Sequence, residues 1–385
     1  MLDARAAGVP AERALTNWAR ASRFAGSGDR AAVRDLVFDA LRRLRSLAAL
    51  GGAATGRGLM LGALRADGVA PDSLFDGSRH GPAPLDAAER RHMEAAVALD
   101  TLEALDCPDW LEPELRASLG ADFAPVLEAL RQRAPVFLRV NAARMTRAAA
   151  IGALAAEGIA AEPVPGLDWA LAVTANARRL RGSDALARGL VEMQDASSQA
   201  VIETLPLVPG ARVLDYCAGG GGKALAMAAR GADVCAHDAD PRRMADLPRR
   251  AKRAGATIRL CGPQGPAKAA PYGLVLADLP CSGSGSWRRS PEGKWTLDAG
   301  RLRDLVALQA SILDAAAGLV APRGLLAMAT CSVLECENGR QVAAFLARNP
   351  DWICTGQHRW LPRPGGGDGF FLALLQRKLA GSRGD

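Results

Sequence analysis

The pattern of hydrophobic and polar positions changes twice along this 385-residue chain. In the first region apolar residues recur every three or four positions, which predicts amphipathic helices. One such face, in the stretch 31–50, is formed by Val33, Leu36, Val37, Leu41, Leu44 and Leu47. The preceding GSGDR supplies residues that cap a helix. We therefore expect an all-helical domain over residues 1–125.

Short apolar runs of β character begin near residue 126. PVFLRVN (135–141) and LDWALAV (167–173) each predict a strand, and the segment AARMTRAAAIGALAAEGI between them predicts a helix. Turns rich in Pro and Gly, such as EPVPG (162–166), separate these elements. A small α+β subdomain is therefore expected over residues 126–192.

From residue 193 to residue 380, short apolar strands alternate with helical segments. The predicted strands are RVLDYC (212–217), DVCAHD (233–238), YGLVLADL (272–279), GLLAMATC (324–331) and GFFLALLQ (369–376). This alternation is typical of a mostly parallel, doubly wound sheet. The fold class is thus α/β, with a Rossmann-like domain that follows the α+β subdomain and the helical domain.

Composition narrows the class of protein. The chain has no run of about 18 apolar residues that predicts a membrane span, and MLDARAAGVP lacks the apolar core of a signal peptide. We expect a cytoplasmic monomer without a membrane partner. A net charge of +7 and a pI near 9.2 favour an anionic partner such as RNA. Arg is abundant along the whole chain, so charge alone is weak evidence.

The cysteine pattern argues against a metal site. The chain has eight cysteines and four histidines but no C-x-x-C pair, so the spacing of a zinc site is absent. Without a signal peptide we expect these thiols to stay reduced. Most are expected to be small buried hydrophobes.

VLDYCAGGGGKALAMAA (213–229) predicts a strand, a glycine loop and a helix. The residues Cys217, Ala218, Gly219, Gly220, Gly221, Gly222 and Lys223 form this loop. Glycines let the backbone approach a ligand, and the helix that follows offers free N–H groups. About twenty residues later a strand ends at Asp238, with Asp240 close behind, where a carboxylate accepts hydrogen bonds from ribose hydroxyls.

Several ligands fit such a loop. A P-loop is excluded because Cys217 and Ala224 occupy the positions of its first Gly and its Ser/Thr. A dinucleotide fits Gly219, Gly221 and Ala224 as G-x-G-x-x-A. S-adenosylmethionine fits better, because Asp215 suits a cationic sulfonium and would repel a pyrophosphate. A purely structural glycine turn stays possible.

Two predicted strands end in thiols. Cys281 lies three residues after Asp278 in ADLPCSGSGSW, and Cys331 closes the next strand in ATCSVLECEN. Adjacent strands of a doubly wound sheet bring their carboxyl ends to one crevice, so we expect an acid and two thiols to meet there. A single cysteine at the end of a strand is more often a small buried hydrophobe, but two of them, both followed by Ser and accompanied by an Asp, favour a chemical role.

A thiolate beside a methyl donor suits one reaction in particular. Carbon 5 of a pyrimidine is a poor nucleophile, and addition of a thiolate to carbon 6 makes it enamine-like. An acid at the N3 edge of the ring stabilises the developing charge, and the base must leave any helix stack to be reached. This chemistry employs one Cys and one Asp, and leaves the second Cys without an assigned role.

The motifs DYCAGGGGK, ADLPCSGSGSWRRSPEGKW, ATCSVLECEN, VEMQDASSQ and GDGFF resemble the Sun/Nop family of RNA cytosine-5 methyltransferases, most of all the bacterial enzymes of small-subunit ribosomal RNA. The N-terminal helices resemble the NusB-like RNA-binding domain of bacterial members. The resemblance implies that Cys331 is the nucleophile, that Cys281 helps to release product, and that Asp278 contacts the cytosine. It also implies that residues 217–223, Asp238 and Asp278 bind S-adenosylmethionine.

The chain departs from the family pattern at two places. The family loop reads C-A-A-P-G-G-K, and here Gly220 replaces the Pro, which makes the free loop more flexible. Members of the family often carry an acid near the adenine of the cofactor, whereas the corresponding stretch here, TIRLCGPQG (257–265), has no acid. Gln264 or backbone groups would have to serve instead.

Three other functions remain open from the residues. A DNA cytosine-5 methyltransferase would use the Pro-Cys thiol of Cys281 as nucleophile, although the T-C-S context favours the RNA class. A nucleotide-dependent oxidoreductase would use the glycine loop for a dinucleotide. A non-catalytic RNA-binding assembly factor would not bind the cofactor at all.

Cations near the crevice are candidate RNA contacts. Arg288, Arg289 and Lys294 follow Cys281, and Arg139 lies with Asn141 in the motif LRVN. We expect these side chains to hold phosphates that flank the flipped base. Trp287 and Trp295 are candidates for stacking on bases.

Overall fold

The computed structural model describes residues 1–79 and 81–378. The chain forms two compact units. One comprises residues 1–133 together with 286–298, and the other comprises residues 134–285 and the chain from residue 299 onward. The predicted boundary between residues 125 and 126 therefore falls inside a helix, and a segment that we assigned to the Rossmann-like domain belongs to the helical unit.

The described helices are α1 (Leu2–Ala6), α2 (Ala11–Ala21), α3 (Ser27–Arg42), α4 (Leu44–Gly51), α5 (Gly56–Ala66), α6 (Ala87–Glu94), α7 (Thr101–Ala104), α8 (Glu112–Leu119), α9 (Phe123–Leu130), α10 (Arg147–Ala156), α11 (Asp184–Ala187), α12 (Ala196–Thr204), α13 (Gly222–Ala229), α14 (Leu247–Ala254), α15 (Gly265–Ala269), α16 (Glu292–Thr296), α17 (Ala299–Ala317) and α18 (Gly339–Arg348). Across the described residues no single helix is long and apolar enough to cross a membrane, although the bent pair of α4 and α5 passes that test by length and composition.

The described strands are β1 (Phe137–Val140), β2 (Ala160–Pro163), β3 (Ala170–Ala175), β4 (Val191–Met193), β5 (Arg212–Asp215), β6 (Asp233–Ala236), β7 (Ile258–Leu260), β8 (Tyr272–Asp278), β9 (Val320–Thr330), β10 (Trp352–Trp360) and β11 (Phe370–Arg377). They form one sheet of four strands and one of seven. Both sheets lie in the second unit.

The helix predicted over residues 31–50 is two helices, α3 and α4, separated at Arg43. The cause is a tertiary cap. The buried carboxylate of Asp106 accepts hydrogen bonds from the backbone N–H groups of Arg45 at 2.8 Å and Ser46 at 2.9 Å. These are first-turn donors of α4 that no intrahelical carbonyl can satisfy. The apolar periodicity continues across this break, so the pattern alone predicted one helix.

Residues 286–298 pack into the helical unit through specific bonds. The indole Nε1 of Trp295 donates to the Leu41 carbonyl at 2.6 Å, and the Arg42 Nε donates to the Arg288 carbonyl at 2.7 Å. Glu292 accepts the backbone N–H of Ala11 at 3.1 Å, at the first turn of α2. The segment therefore serves as an additional piece of this helical core.

The four-stranded sheet has the order β2-β3-β1-β4, and its paired strands run antiparallel. It packs with α10 around a small core that includes Leu138, Leu154 and Leu171. This agrees with the α+β character predicted for the region. The short strands β2 and β4 escaped prediction because four and three residues are too few for a clear alternation.

The seven-stranded sheet has the order β10-β11-β9-β8-β5-β6-β7. Its strands from β9 to β7 are parallel, and β11 pairs antiparallel with both β9 and β10. The mostly parallel sheet predicted from the sequence is thus confirmed. Strand β10 was not predicted, because WICTGQHRW lies at the sheet edge and is largely exposed.

Helices cover both faces of the large sheet, as a doubly wound fold requires. Successive residues of β8 face opposite cores. Leu274 and Leu276 join a cluster with residues of α12, α13 and α14, whereas Val275 and Ala277 join a second cluster with residues of α17 and α18. This two-sided burial explains why YGLVLADL reads as a continuous apolar run.

Cys235 of β6 and Cys261, just after β7, form a disulfide with their Cα atoms 6.4 Å apart. We expected reduced thiols, so the structure differs from the prediction here. The two strands are hydrogen-bonded neighbours in a parallel pair, and this pairing brings residues 26 positions apart into bonding range. The other six cysteines form no disulfide.

Asp106 should dominate the stability of the helical unit. It is fully buried and also accepts from Arg131 Nε at 2.7 Å and Ser46 Oγ at 2.9 Å. Asp106→Ala should lower the free energy of unfolding by about 3–5 kcal/mol, because Arg131 and two amides lose their acceptor. Thermal unfolding followed by circular dichroism measures this. Asp109→Ala, which removes an exposed partner of Arg45, should cost less than about 1 kcal/mol; equal losses would contradict the assignment.

Candidate functional site

The candidate site lies at the carboxyl ends of the parallel strands. Asp215 ends β5 and Asp278 ends β8, while Cys331 directly follows β9. Because β5, β8 and β9 are neighbours in register, their ends reach one edge of the sheet. The glycine loop between β5 and α13 lies at the same edge.

The glycine loop has a backbone that only glycine adopts easily. Gly219 and Gly221 have φ angles of +50° and +77°, in the left-handed region. A Cβ at Gly221 would lie 2.2 Å from a methyl group of Leu247. The loop thus turns tightly against α14 and directs the first N–H groups of α13 toward the crevice.

Two arginines hold the carbonyls of this loop. Arg250 of α14 donates to the carbonyl of Gly220, and Arg139 of β1 donates to that of Gly222 at 2.8 Å. The buried carboxylate of Glu192 pairs with Arg250 at 3.0 Å and also with Arg253. The family has a proline at the position of Gly220, and its ring would stiffen the loop. In this chain the loop is held at Gly220 by Arg250, a residue outside the loop.

Asp238 caps the loop from β6. Its Oδ2 accepts the N–H of Gly219 at 2.9 Å, and its Oδ1 accepts the N–H of Asp240 at 3.0 Å. Arg243 pairs with the same carboxylate at 3.1 Å. A carboxylate at this position is oriented for a ligand with two vicinal hydroxyls, and Arg243, whose side chain is more than half exposed, is free to turn away toward solvent.

The buried carboxyl of Asp215 has no hydrogen bond of good geometry among the described residues, although the backbone N–H of Ala224 lies close enough to favour its charged form slightly. Burial, followed by repulsion from Asp278, raises its pKa to about 7. A buried carboxyl of this kind is suited to a cationic ligand, which would supply the missing favourable charge.

Lys223 and Asp278 form an ion pair of 2.6 Å between Nζ and Oδ2. Burial opposes the charge of the ammonium, but the carboxylates of Asp278 and Asp215 outweigh it and raise the pKa of Lys223. The ammonium also interacts electrostatically with Cys331. Lys223 thus pairs with the acid and acts on the thiol, in addition to the cofactor contact that the resemblance implied for residues 217–223.

The two thiols meet as the sequence predicted. The Sγ atoms of Cys281 and Cys331 are 3.5 Å apart. The hydrogen bond to Cys331, followed by burial and the charges of Cys331 and Glu337, raises the pKa of Cys281 well above its usual range. Cys217, in the loop, has its pKa raised to about 12 by burial and by Asp215. Cys281 and Cys217 are therefore protonated at neutral pH.

The sequence analysis missed the polar cluster behind these thiols. Ser282 and Ser332, which follow the two cysteines, both bond to the buried carboxylate of Glu337. The signal was present in the sequence, since each cysteine precedes a Ser and an acid lies six residues after Cys331. The identity of the partner depended on the tertiary fold.

The structure contradicts three of the four predicted RNA contacts. Arg139, Arg288 and Lys294 are 7%, 1% and 2% exposed. Arg139 holds the glycine loop, and Arg288 and Lys294 belong to the core of the helical unit, where burial lowers the pKa of Lys294 to about 8. Arg289 is exposed and stays a candidate.

Three further side chains that we linked to RNA also pack within the fold, two of them buried and Trp295 half-buried. Asn141 donates to the Gly189 and Ala254 carbonyls at 3.0 and 2.8 Å. Trp287 is 2% exposed, and Trp295 packs through its indole bond to Leu41. Asn141 and Trp295 thus satisfy buried backbone carbonyls, and Trp287 contributes to the fold by its burial.

Solved structures identify the class of fold. A methyltransferase homologue from Pyrococcus horikoshii superposes with a TM-score of 0.64 and 21% identity, over 73% of this chain and 98% of that one. The protein PH0851 gives 0.73 and 22%, over 91% of both chains. The structure of NSun6 from Pyrococcus horikoshii with SFG gives 0.61 and 17%, over 70% and 98%. This chain has a methyltransferase fold.

Family models and curated relatives narrow the class further. The model described as 16S rRNA methyltransferase RsmB/F matches residues 202–376, and the ferredoxin-like domain of RsmF/B-like methyltransferases matches residues 107–178. Together they cover more than half of the chain, which belongs to the RsmB/F methyltransferase family.

Among curated proteins, the Ribosomal RNA small subunit methyltransferase B of Salmonella arizonae is 36% identical over 286 residues, or 70% of this chain. That of Salmonella typhi gives the same identity and coverage. The aligned part spans 66% of the length of these relatives. The NusB-like character of the helical unit stays a prediction.

The pKa of Asp215 predicts a pH-dependent stability. The carboxyl titrates near pH 7 when folded and near 3.8 when unfolded, so stability falls as pH rises between these values and the loss is complete above 7. Asp215→Asn should add about 4 kcal/mol at pH 8 and less than about 1 kcal/mol at pH 4. Denaturant titrations at both pH values measure this. Asp233→Asn, at the exposed start of β6, is the control, and a pH-independent effect of Asp215→Asn would contradict the prediction.

Proposed function

We propose that the chain transfers a methyl group from S-adenosylmethionine to carbon 5 of a cytosine in RNA, in particular ribosomal RNA. The observation that carries the proposal is the pair of thiols 3.5 Å apart, next to the Lys223–Asp278 ion pair at the edge that holds the glycine loop. The small-subunit rRNA methyltransferase B relatives support ribosomal RNA as substrate.

The residues present fit the proposed cofactor. The unpartnered oxygens of Asp215 suit a sulfonium cation, Asp238 suits the ribose hydroxyls, and the N–H groups at the start of α13 suit a carboxylate. When bound, S-adenosylmethionine supplies an electrophilic methyl group. Residues 217–223 would hold it against β5.

The electrostatics of the site support Cys331 as the nucleophile. The ammonium of Lys223 acts on Cys331 and favours its thiolate, because an opposite charge stabilises the ionised form. Cys281 keeps its proton and is placed to hydrogen-bond to the sulfur of Cys331. The raised pKa of Cys281 and the ammonium near Cys331 both support Cys331 as the thiol that reacts.

Each residue then has a separate task. The Cys331 thiolate forms a bond to carbon 6 of the cytosine, and the displaced electron pair moves to N3, which takes a proton from the Lys223–Asp278 pair. Carbon 5 accepts the methyl group and afterwards loses its proton to a base. The C6–S bond then breaks, its electron pair returns to Cys331, and the thiol of Cys281 stabilises the leaving sulfur by hydrogen bonding.

Substitution of the two cysteines tests these roles. Cys331→Ala should abolish methylation, by at least about 1000-fold. Cys281→Ala should accumulate a covalent protein–RNA adduct, because elimination loses its hydrogen-bond donor. The assay uses ribosomal RNA and a labelled methyl donor, with denaturing gels to detect the adduct. An adduct in Cys331→Ala but not in Cys281→Ala would reverse the roles and favour the DNA-type mechanism.

Calorimetric titration of S-adenosylmethionine tests the cofactor and the way the loop is held. Arg250→Ala should weaken binding about tenfold, because the loop must then be ordered on binding at a cost of about 1–2 kcal/mol. Arg249→Ala, whose side chain is exposed and pairs with Asp246, should bind like the parent protein. If the parent protein does not bind the cofactor, the chain is better explained as a non-catalytic RNA-binding factor.

A further inference from the structure

One buried carboxylate connects the two cysteine loops. Glu337 is fully buried, and its Oε1 accepts the backbone N–H of Ser282 at 2.8 Å. Its Oε2 accepts the hydroxyl of Ser282 at 2.5 Å and also the hydroxyl of Ser332. Each serine directly follows one of the two cysteines. A single side chain thus bonds to the neighbour of both thiols.

A third element holds the same carboxylate. Gln309 of α17 donates to the Oε1 of Glu337 at 3.0 Å and to the carbonyl of Pro280 at 2.9 Å. The loop after β8 is therefore held at Pro280, just before Cys281, and at Ser282, just after it. Gln341 of α18 in turn donates to the Oε1 of Gln309 at 3.1 Å, which fixes the orientation of that amide.

The loop after β9 has its own support. Ser284 and Ser332 are joined through their hydroxyls at 2.9 Å, and Ser284 accepts the N–H of Val333 at 2.9 Å. Asn338, next to Glu337, donates to the carbonyl of Ser332 at 3.0 Å. The two loops follow the neighbouring strands β8 and β9, and the N–H of Gly285 donates to the carbonyl of Cys331 at 3.0 Å. The side-chain network adds further connections between the two loops, at the residues next to the thiols.

We propose that Glu337 is a positioning residue that holds Cys281 and Cys331 at bonding distance through Ser282 and Ser332. Its hydrogen bonds go to the two serines that follow the thiols, and its positioning effect passes through them. This inference rests on the proposed function for its catalytic meaning. The geometric part, the separation of the two sulfur atoms, holds for any reaction at the site.

The carboxylate also has an electrostatic effect on the thiols. Its charge contributes to the raised pKa of Cys281, which keeps the proton on that thiol. Glu337 thus helps to separate the protonated cysteine from the ionised one. A glutamine at this position would have no charge to raise the pKa of Cys281. Its NH₂ group would also face the hydroxyl, amide and backbone N–H groups that now donate to Glu337.

The test measures the distance between the thiols without RNA or cofactor. The full-length protein is first reduced and then oxidised with diamide, and the rate of the Cys281–Cys331 disulfide is followed by mass spectrometry of peptides. Formation of the Cys235–Cys261 disulfide in the same sample serves as the internal reference. Glu337→Gln should slow the Cys281–Cys331 bond at least about tenfold, because a misplacement of about 1 Å strongly reduces such reactions.

Glu335→Gln is the matched control. Glu335 lies two residues away and pairs with Arg359 at 3.7 Å, so its variant should form the disulfide at the parent rate. Ser282→Ala and Ser332→Ala each remove one connection and leave the carboxylate in place. Each should slow disulfide formation several-fold. Adding both serine substitutions to Glu337→Gln should slow the reaction little further, because the serines act through the same carboxylate.

Alkylation of Cys281 by iodoacetamide across pH supplies the second readout. Glu337→Gln should shift its midpoint to lower pH, which a purely structural role would not do. Parent rates of disulfide formation in folded Glu337→Gln and in both serine variants would overturn the proposal. If Glu337→Gln does not fold, the serine variants decide alone. If Glu337→Gln slows disulfide formation but the parent protein has no methyltransferase activity, the positioning role is supported and the proposed function is rejected.

Discussion

The parallel pairing of β5, β8 and β9 is the constraint on which the candidate site depends. In a parallel sheet all strands end at the same edge, so residues that are more than a hundred positions apart arrive together. Asp215, Asp278 and Cys331 each stand at or just after the end of one of these strands. The cores on both faces of the sheet fix the register, because a slip of one residue would exchange buried side chains between the two clusters. Hydrophobic packing of the sheet therefore determines where the reactive side chains of the site lie.

The two thiols of the candidate site have different charged neighbours. Lys223 pairs with Asp278 and interacts with Cys331, while Glu337 contributes to the protonation of Cys281. Two thiols of the same chemical type therefore have different tasks because their neighbours differ. The two carboxylates at this edge also differ in their partners, since Asp238 accepts two backbone N–H groups and the oxygens of Asp215 lack a hydrogen bond of good geometry. Identical side chains acquire different pKa values through burial and partners.

The glycine loop shows how a local departure is compensated from a distance. Gly220 stands where the family has a proline, and the loop loses the stiffness of that ring. Arg250 and Arg139 bind its carbonyls instead, and they come from α14 and from the small four-stranded sheet. The α+β subdomain thus contributes directly to the geometry of the crevice. Arg139, which the basic motif LRVN suggested for RNA, is part of that support.

The sequence by itself determined the fold class, five of the seven strands of the large sheet, the glycine loop and the two thiols at one edge. Periodicity and glycine spacing are local signals, and the doubly wound topology converts strand ends into neighbours. Tertiary structure alone decided the break between α3 and α4, the burial of Arg288 and Lys294, the Cys235–Cys261 bond and the network of Glu337. A sequence shows that a side chain is charged, but its exposure and its partner depend on distant residues. The buried carboxylates Asp106 and Glu337 are clear cases, since both bond to groups in other elements that no spacing rule connects to them.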